Sequence, residues 1–252
     1  MNLHLLDSVT PQFPDPCTAA EEPDGLLAVG GNLYPSTIIN SYRQGIFPWF
    51  SDDDPILWWS PAVRCVIRPE QFHLSKSLRK CLRQNDYRVT TDTAFDQVIE
   101  ACAAPRDEEM GTWIIPKMID AYCALHQLGQ AHSVEVWNQE QLVGGIYGVA
   151  VGGVFCGESM FSGMTNGSKI AMAYLCNWLS TAGFTLLDCQ IVNPHLLSVG
   201  AKSMARVEFL ELLYGCRDQD LGWSEKEMTI ESEASSIPSA PHASIEQSDA
   251  IH

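Results

Sequence analysis

The chain has 252 residues, 46% of them hydrophobic, and a formal charge of −16 at pH 7. That length can bury one large core or two smaller ones, and no run approaches the roughly 18 consecutive apolar residues needed to cross a bilayer. Nine cysteines, an odd number with none closer than thirteen positions, exclude a CxxC redox pair or a zinc knuckle and point to reduced thiols in a cytosolic protein.

Met1 to Asp7 place no cationic stretch ahead of an apolar run, so no signal peptide is expected. The first sixty residues are rich in Pro, Gly and aromatics, with one helix predicted from Pro35 to Gln44 and Gly45 just past its end. Trp49, Trp58 and Trp59 follow among prolines, without helix or strand periodicity. They serve either as packing between a small domain and a larger one or as a platform for stacking on a base. Seven basic residues (Arg64, Arg68, Lys76, Arg79, Lys80, Arg83, Arg88) then face only Glu70 and Asp86. Such a patch on an acidic protein steers a polyanion to one face, unless it is only a solvated helix surface.

Ser75 is placed to cap a basic helix ending at Arg83, and Thr93-Ala94-Phe95-Asp96 reads as a capping box opening a helix to Ala103. A helix from Pro116 to Leu128 is closed by Gly129. Strand patterns run from Ser133 to Trp137, Leu142 to Val151 and Val154 to Met160. A helix from Ser168 to Thr181, a strand from Phe184 to Val192 and a helix from Arg206 to Tyr214 complete the order. Antiparallel strands, a crossover helix and a further strand predict an α+β domain with a mixed sheet. Residues 224–252 lack aromatics, and eight acidic residues follow Arg217 against Lys226 alone. This composition predicts a disordered tail.

Two segments place carboxylates inside apolar strand-like runs: Phe155-Cys156-Gly157-Glu158-Ser159 and Leu187-Asp188-Cys189-Gln190. A buried ionised carboxylate is costly unless paired. Glu158 either pairs with a neighbouring base or lines a pocket that receives a cation. By alternation Asp188 and Gln190 share a face and Cys189 takes the other. An acid beside an amide holds an amine, or forms a structural hydrogen-bond pair; the two readings stand even. Cys156 and Cys189 have no nearby histidine and read as packing. Gly163 to Lys169 lacks P-loop spacing. The seven histidines form no metal motif.

Asp24-Gly25-Leu26-Leu27-Ala28, Gly45-Ile46-Phe47-Pro48-Trp49-Phe50, Trp58-Trp59-Ser60-Pro61, Gly111-Thr112-Trp113-Ile114, His132-Ser133-Val134-Glu135-Val136-Trp137, Val143-Gly144-Gly145 and the two carboxylate segments occur in one order along the chain. In this the chain resembles the bacterial leucyl/phenylalanyl-tRNA–protein transferase family up to about residue 215. The resemblance implies a small N-terminal α/β domain (1–62), an acetyltransferase-like (GNAT) domain with a mixed sheet and flanking helices (63–217), and the acidic tail (218–252). It implies transfer of Leu, Phe or Met from aminoacyl-tRNA to the N-terminal Arg or Lys of a protein, creating an N-degron, by a cytoplasmic monomer without cofactor, metal or membrane. Asp188 and Gln190 would form a relay to the amine, with Glu158 receiving the cationic acceptor. Trp49 and Trp113 would contact the terminal adenosine, and Ile146, Phe155, Met172, Leu175 and Leu187 the amino-acid side chain. Arg64, Lys76, Arg79, Lys80 and Arg83 would grip tRNA phosphates.

Two other classes stay open on the residues. An acetyl-CoA-dependent N-acyltransferase needs a Gln/Arg-x-x-Gly-x-Gly/Ala loop, which Gln141 to Ile146 misses at its last position. A non-catalytic module binding RNA or an N-degron would use Glu158 only to hold a cationic N-terminus.

Overall fold

The computed structural model describes residues 3–84, 86–104 and 113–223; the tail predicted over 224–252 lies outside them. The N-terminal region holds β1 (His4–Leu6), β2 (Leu26–Gly30), α1 (Pro35–Tyr42), β3 (Phe47–Pro48) and β4 (Leu57–Trp59). These strands form a four-stranded sheet in the order β1-β2-β4-β3. There follow β5 (Val63–Ile67), α2 (Lys76–Gln84), β6 (Arg88–Thr91), α3 (Phe95–Ala103), α4 (Pro116–Gln127), β7 (Ala131–Asn138), β8 (Gln141–Val151) and β9 (Val154–Ser162). The chain continues through α5 (Gly167–Ala182), β10 (Leu186–Gln190), α6 (Pro194–Ser198), β11 (Lys202–Ala205) and α7 (Arg206–Cys216). A seven-stranded sheet runs β11-β5-β10-β9-β8-β7-β6. Only its β9–β10 pair is parallel.

Both faces of this sheet are covered. On one, Ile38, Val98, Tyr122 and Leu213 pack with Trp58 and Leu27 of the first sheet, so the two sheets share a core. On the other, Leu78 and Leu82 of α2 and Ile170, Leu175 and Leu179 of α5 pack on Ile146, Phe155 and Leu187. Cover on both sides explains why β7 is buried in seven of its eight positions instead of alternating. Glycines allow the closest approach: a Cβ on Gly144 of β8 would lie 2.5 Å from the carbonyl carbon of Gly167, where α5 begins.

Ser75 caps the basic helix as predicted, its Oγ accepting from Leu78 N at 3.2 Å. The predicted capping box at Thr93 does not form. Ala94 holds the cap position without a side-chain bond, while the Thr93 hydroxyl donates to the buried Glu135 at 3.1 Å. An acid with no exposed surface takes donors wherever they stand. Strands β5, β6 and β11 escaped the sequence pattern. They are four or five residues long and mix basic or hydroxyl residues with apolar ones. Gln141 to Ile146 lies within β8, so it forms no phosphate-cradling loop.

Candidate active site

The parallel pairing of β9 and β10 ends at Asp188 opposite Cys156. Just beyond, both strands carry irregularities. Glu158 is the extra residue where Gly157 pairs with Gly148 and Ser159 with Tyr147, and the register of β10 slips between Asp188 and Gln190. Bulges interrupt pairing and re-aim side chains. Here two at one level turn Glu158 and Gln190 toward each other. Gln190 adopts φ +62°, and its backbone N–H donates to Asp188 Oδ1 at 2.9 Å. The expected alternation survives: Cys189 packs toward the α5 face, while Asp188 and Gln190 make their bonds on the other side.

Glu158 is half-buried and bonded at both oxygens. Oε1 accepts from Gln190 Nε2 at 2.6 Å, and Oε2 from the Tyr122 hydroxyl at 3.0 Å. The Tyr122 and Tyr42 hydroxyls are 2.6 Å apart, so α1 of the N-terminal region joins the network. Burial pushes Glu158 up to about 7; the tyrosine and glutamine donors oppose this, and the charge of Asp188 adds to it. Burial, with Glu158 next, raises both tyrosines. They remain protonated donors while the glutamate titrates near neutrality.

Asp188 has no exposed surface. Arg64 grips it through Nε, 3.3 Å from Oδ1, and through an ion pair to Oδ2. The third guanidinium nitrogen, NH1, donates to Gly45 O at 3.0 Å, and the group lies over the rings of Phe47 and Phe209 at 5.0 and 4.4 Å. This corrects one expectation: Arg64 is 1% exposed and cannot reach a tRNA phosphate, because a guanidinium so placed is retained by its buried carboxylate. Asp188 and Gln190 are hydrogen-bonded to each other through the Gln190 backbone N–H, while the Gln190 side-chain amide turns to Glu158. Lys76, Arg79, Lys80 and Arg83 are exposed on α2, and none lines the cavity described next.

A cavity of about 990 Å³ opens above the two bulges, lined by Trp49, Trp59, Trp113, Ile146, Gly157, Glu158, Met172, Leu187 and Cys189, among others. The tryptophans differ in their surroundings. Trp58 is fully buried and donates to Gly30 O at 2.9 Å, which is packing. Trp49, 40% exposed, meets Trp59 edge-to-face at 5.6 Å, and Trp59 Nε1 donates to Trp49 O at 2.6 Å. Of the expected pocket residues, Phe155 and Leu175 do not line the cavity. Both are buried behind it, Phe155 stacking on Trp223 at 5.3 Å.

Sequence reasoning does not reach Tyr42, Tyr122, Trp59 or Gly157 as site residues. Trp59 stands in the aromatic cluster that the sequence does single out. Tyr42 and Tyr122 give no signal, since tyrosine at apolar helical spacing looks the same in a core or a site. The cysteines remain packing groups: burial holds the Cys156 thiol well above its usual range, and contact with Cys65 together with burial does so for Cys189. Among the described residues no group of three or more His, Cys, Asp or Glu is placed to hold a metal ion.

The family described as "Leucyl/phenylalanyl-tRNA protein transferase" matches residues 66–214, and its N-terminal domain matches residues 31–62. Proteins named leucyl/phenylalanyl-tRNA–protein transferase are similar over most of their length. The one from Shewanella woodyi is 50% identical over 233 residues, covering 91% of this chain and 99% of that protein. The one from Nitrosomonas eutropha is 51% identical over 217 residues, covering 86% and 92%. Among solved structures, L-PGS from Bacillus licheniformis aligns with a TM-score of 0.36 and 14% identity, over 59% of this chain and 48% of that one. Matched along most of its length and half identical to such relatives, the chain belongs to the leucyl/phenylalanyl-tRNA protein transferase family.

Proposed function

We propose that the protein transfers Leu, Phe or Met from aminoacyl-tRNA to the N-terminal Arg or Lys of an acceptor protein, and that the product is an N-degron made in the cytoplasm. The observation that carries this reading is the place of Glu158, where an apolar cavity and an aromatic wall meet. The aminoacyl ester is already activated. The reaction needs an uncharged α-amine, a positioned carbonyl and a route for one proton. The amine nitrogen bonds to the carbonyl carbon, the ester C–O bond breaks, and the 3′ oxygen of the terminal ribose leaves with a proton.

The tryptophan wall suits the terminal adenosine, and Ile146, Met172 and Leu187 suit a Leu, Phe or Met side chain. Glu158, titrating near 7, receives the acceptor's cationic end and takes the amine proton. Gln190 directs its amide nitrogen to Glu158, which leaves its amide oxygen to accept from the same ammonium. The exposed cations of α2 hold tRNA phosphates. An acetyltransferase-like reading of the larger sheet draws support from its parallel β9–β10 pair, which parts at the site.

The test is labelled Leu-tRNA with a peptide beginning in Arg. Leucine should appear on the peptide's N-terminus without added CoA or ATP. Intact Leu-tRNA that transfers nothing, in the presence of folded protein, overturns the reading.

A further inference from the structure

The buried ion pair of Arg64 has a geometry that packing alone does not require. Its three guanidinium nitrogens tie together two buried segments that each lead into a wall of the cavity. NH1 takes the carbonyl of Gly45, four residues before Trp49 in the aromatic wall. Nε and NH2 take both oxygens of Asp188. Asp188 Oδ1 in turn accepts the backbone N–H of Gln190, a non-glycine residue at φ +62°, a conformation that needs outside support. Gln190 then donates to Glu158 at 2.6 Å. The path that starts at Arg64 thus ends on the carboxylate that faces the cavity.

We propose that Arg64 is a positioning residue for aminoacyl transfer: through Asp188 it fixes the left-handed turn that aims Gln190 at Glu158, and through Gly45 it sets that pair at a fixed distance from the Trp49 wall. Asp188 in this arrangement is a strut, with both oxygens occupied and no surface open to the cavity. The proposal rests on the transferase reading above, deepening it by naming what holds the reacting groups in place.

Steady-state transfer from Leu-tRNA to an Arg-initiated peptide tests it through a cycle of Arg64→Lys and Gln190→Leu. Lysine keeps the charge but has no planar fork with which to hold both segments. Arg64→Lys should lower kcat about tenfold with KM for both substrates within about twofold, because misplacement costs turnover before binding. In the Gln190→Leu background the same substitution should cost only about threefold, since the arm through Gln190 is already lost and the arm to Gly45 alone remains. An equal loss in both backgrounds, or no loss in either, overturns the proposal. The double variant Arg64→Met with Asp188→Leu gives a second measure, because an apolar pair often replaces a buried ion pair without loss of stability. If it melts near the parent temperature and keeps turnover within about threefold, the pair is structural only and the proposal fails; a folded variant slowed about a hundredfold supports it. Unsubstituted protein that transfers nothing would sink the transferase reading itself and would show as such in the control.

Discussion

Glu158 binds a proton more tightly in the fold, at about 7, than in an unfolded chain, at 4.5. Between those values the native state carries the extra proton, so stability falls as pH rises through this window and is lowest above it. Glu158→Gln removes that dependence. Its melting temperature should exceed the parent's at pH 8 by a few degrees and match it at pH 4.5, as thermal unfolding at the two pH values would reveal. A side chain at Gly157 would narrow the cavity proposed to take the transferred side chain. A Cβ there would point among the cavity's own groups, 3.3 Å from Leu187 Cδ1 and 3.9 Å from Ile146 Cδ1. Gly157→Ala should reduce the kcat/KM ratio of Phe-tRNA to Leu-tRNA about tenfold, a ratio measured within one variant and insensitive to its folded fraction. At this scale the sequence was readable where chemistry clashed with surroundings, as at Glu158 and Asp188 in apolar strands. It was unreadable where a residue's role depends on a distant partner. Arg64 stands among Val63, Cys65, Val66 and Ile67, unlike Arg79 and Arg83 on their polar helix, but its partner Asp188 lies 124 positions away and no local pattern names it.

Helix α2 exposes Lys76, Arg79, Lys80 and Arg83 while burying Leu78 and Leu82, so its charge can change without disturbing the core. Replacing Lys80 and Arg83 together by Ala should weaken tRNA binding and reduce the slope of log K against log salt by about 1.5, since each phosphate no longer neutralised removes about 0.7 to 0.9. A titration at several salt concentrations with an unchanged slope would place the tRNA elsewhere. The long elements were legible because their apolar periodicity runs for many residues: α5 and β7 to β9 fall within about two positions of the expected bounds. Short strands gave no such run. The bulges at Glu158 and Gln190 were invisible for another reason: a bulge is a relation between two strands, and a pattern along one strand does not contain it.

Across the larger sheet as a whole, Trp223 gathers side chains from several elements: it stacks on His132 at 4.2 Å and on Phe155 at 5.3 Å and lies 4.1 Å from Trp178. None of these residues lines the cavity. Trp223→Ala should cost about 3 kcal/mol of stability, at the low end for a large aromatic, while leaving KM and kcat near the parent's at temperatures where the variant is folded. A chemical-denaturation curve beside a transfer assay separates the two effects. A further consequence follows from Arg64 lying between Phe47 and Phe209. The side chains linked to Glu158 and Asp188 span most of the chain, from Tyr42 on α1, bonded through Tyr122, to Phe209 on α7, under Arg64. During synthesis, a chain released before α7 emerges from the ribosome lacks the ring that covers the guanidinium. Activity should therefore be acquired late, after nearly all of the fold has been translated, and fragments that end before α7 should be inert toward charged tRNA in a transfer assay.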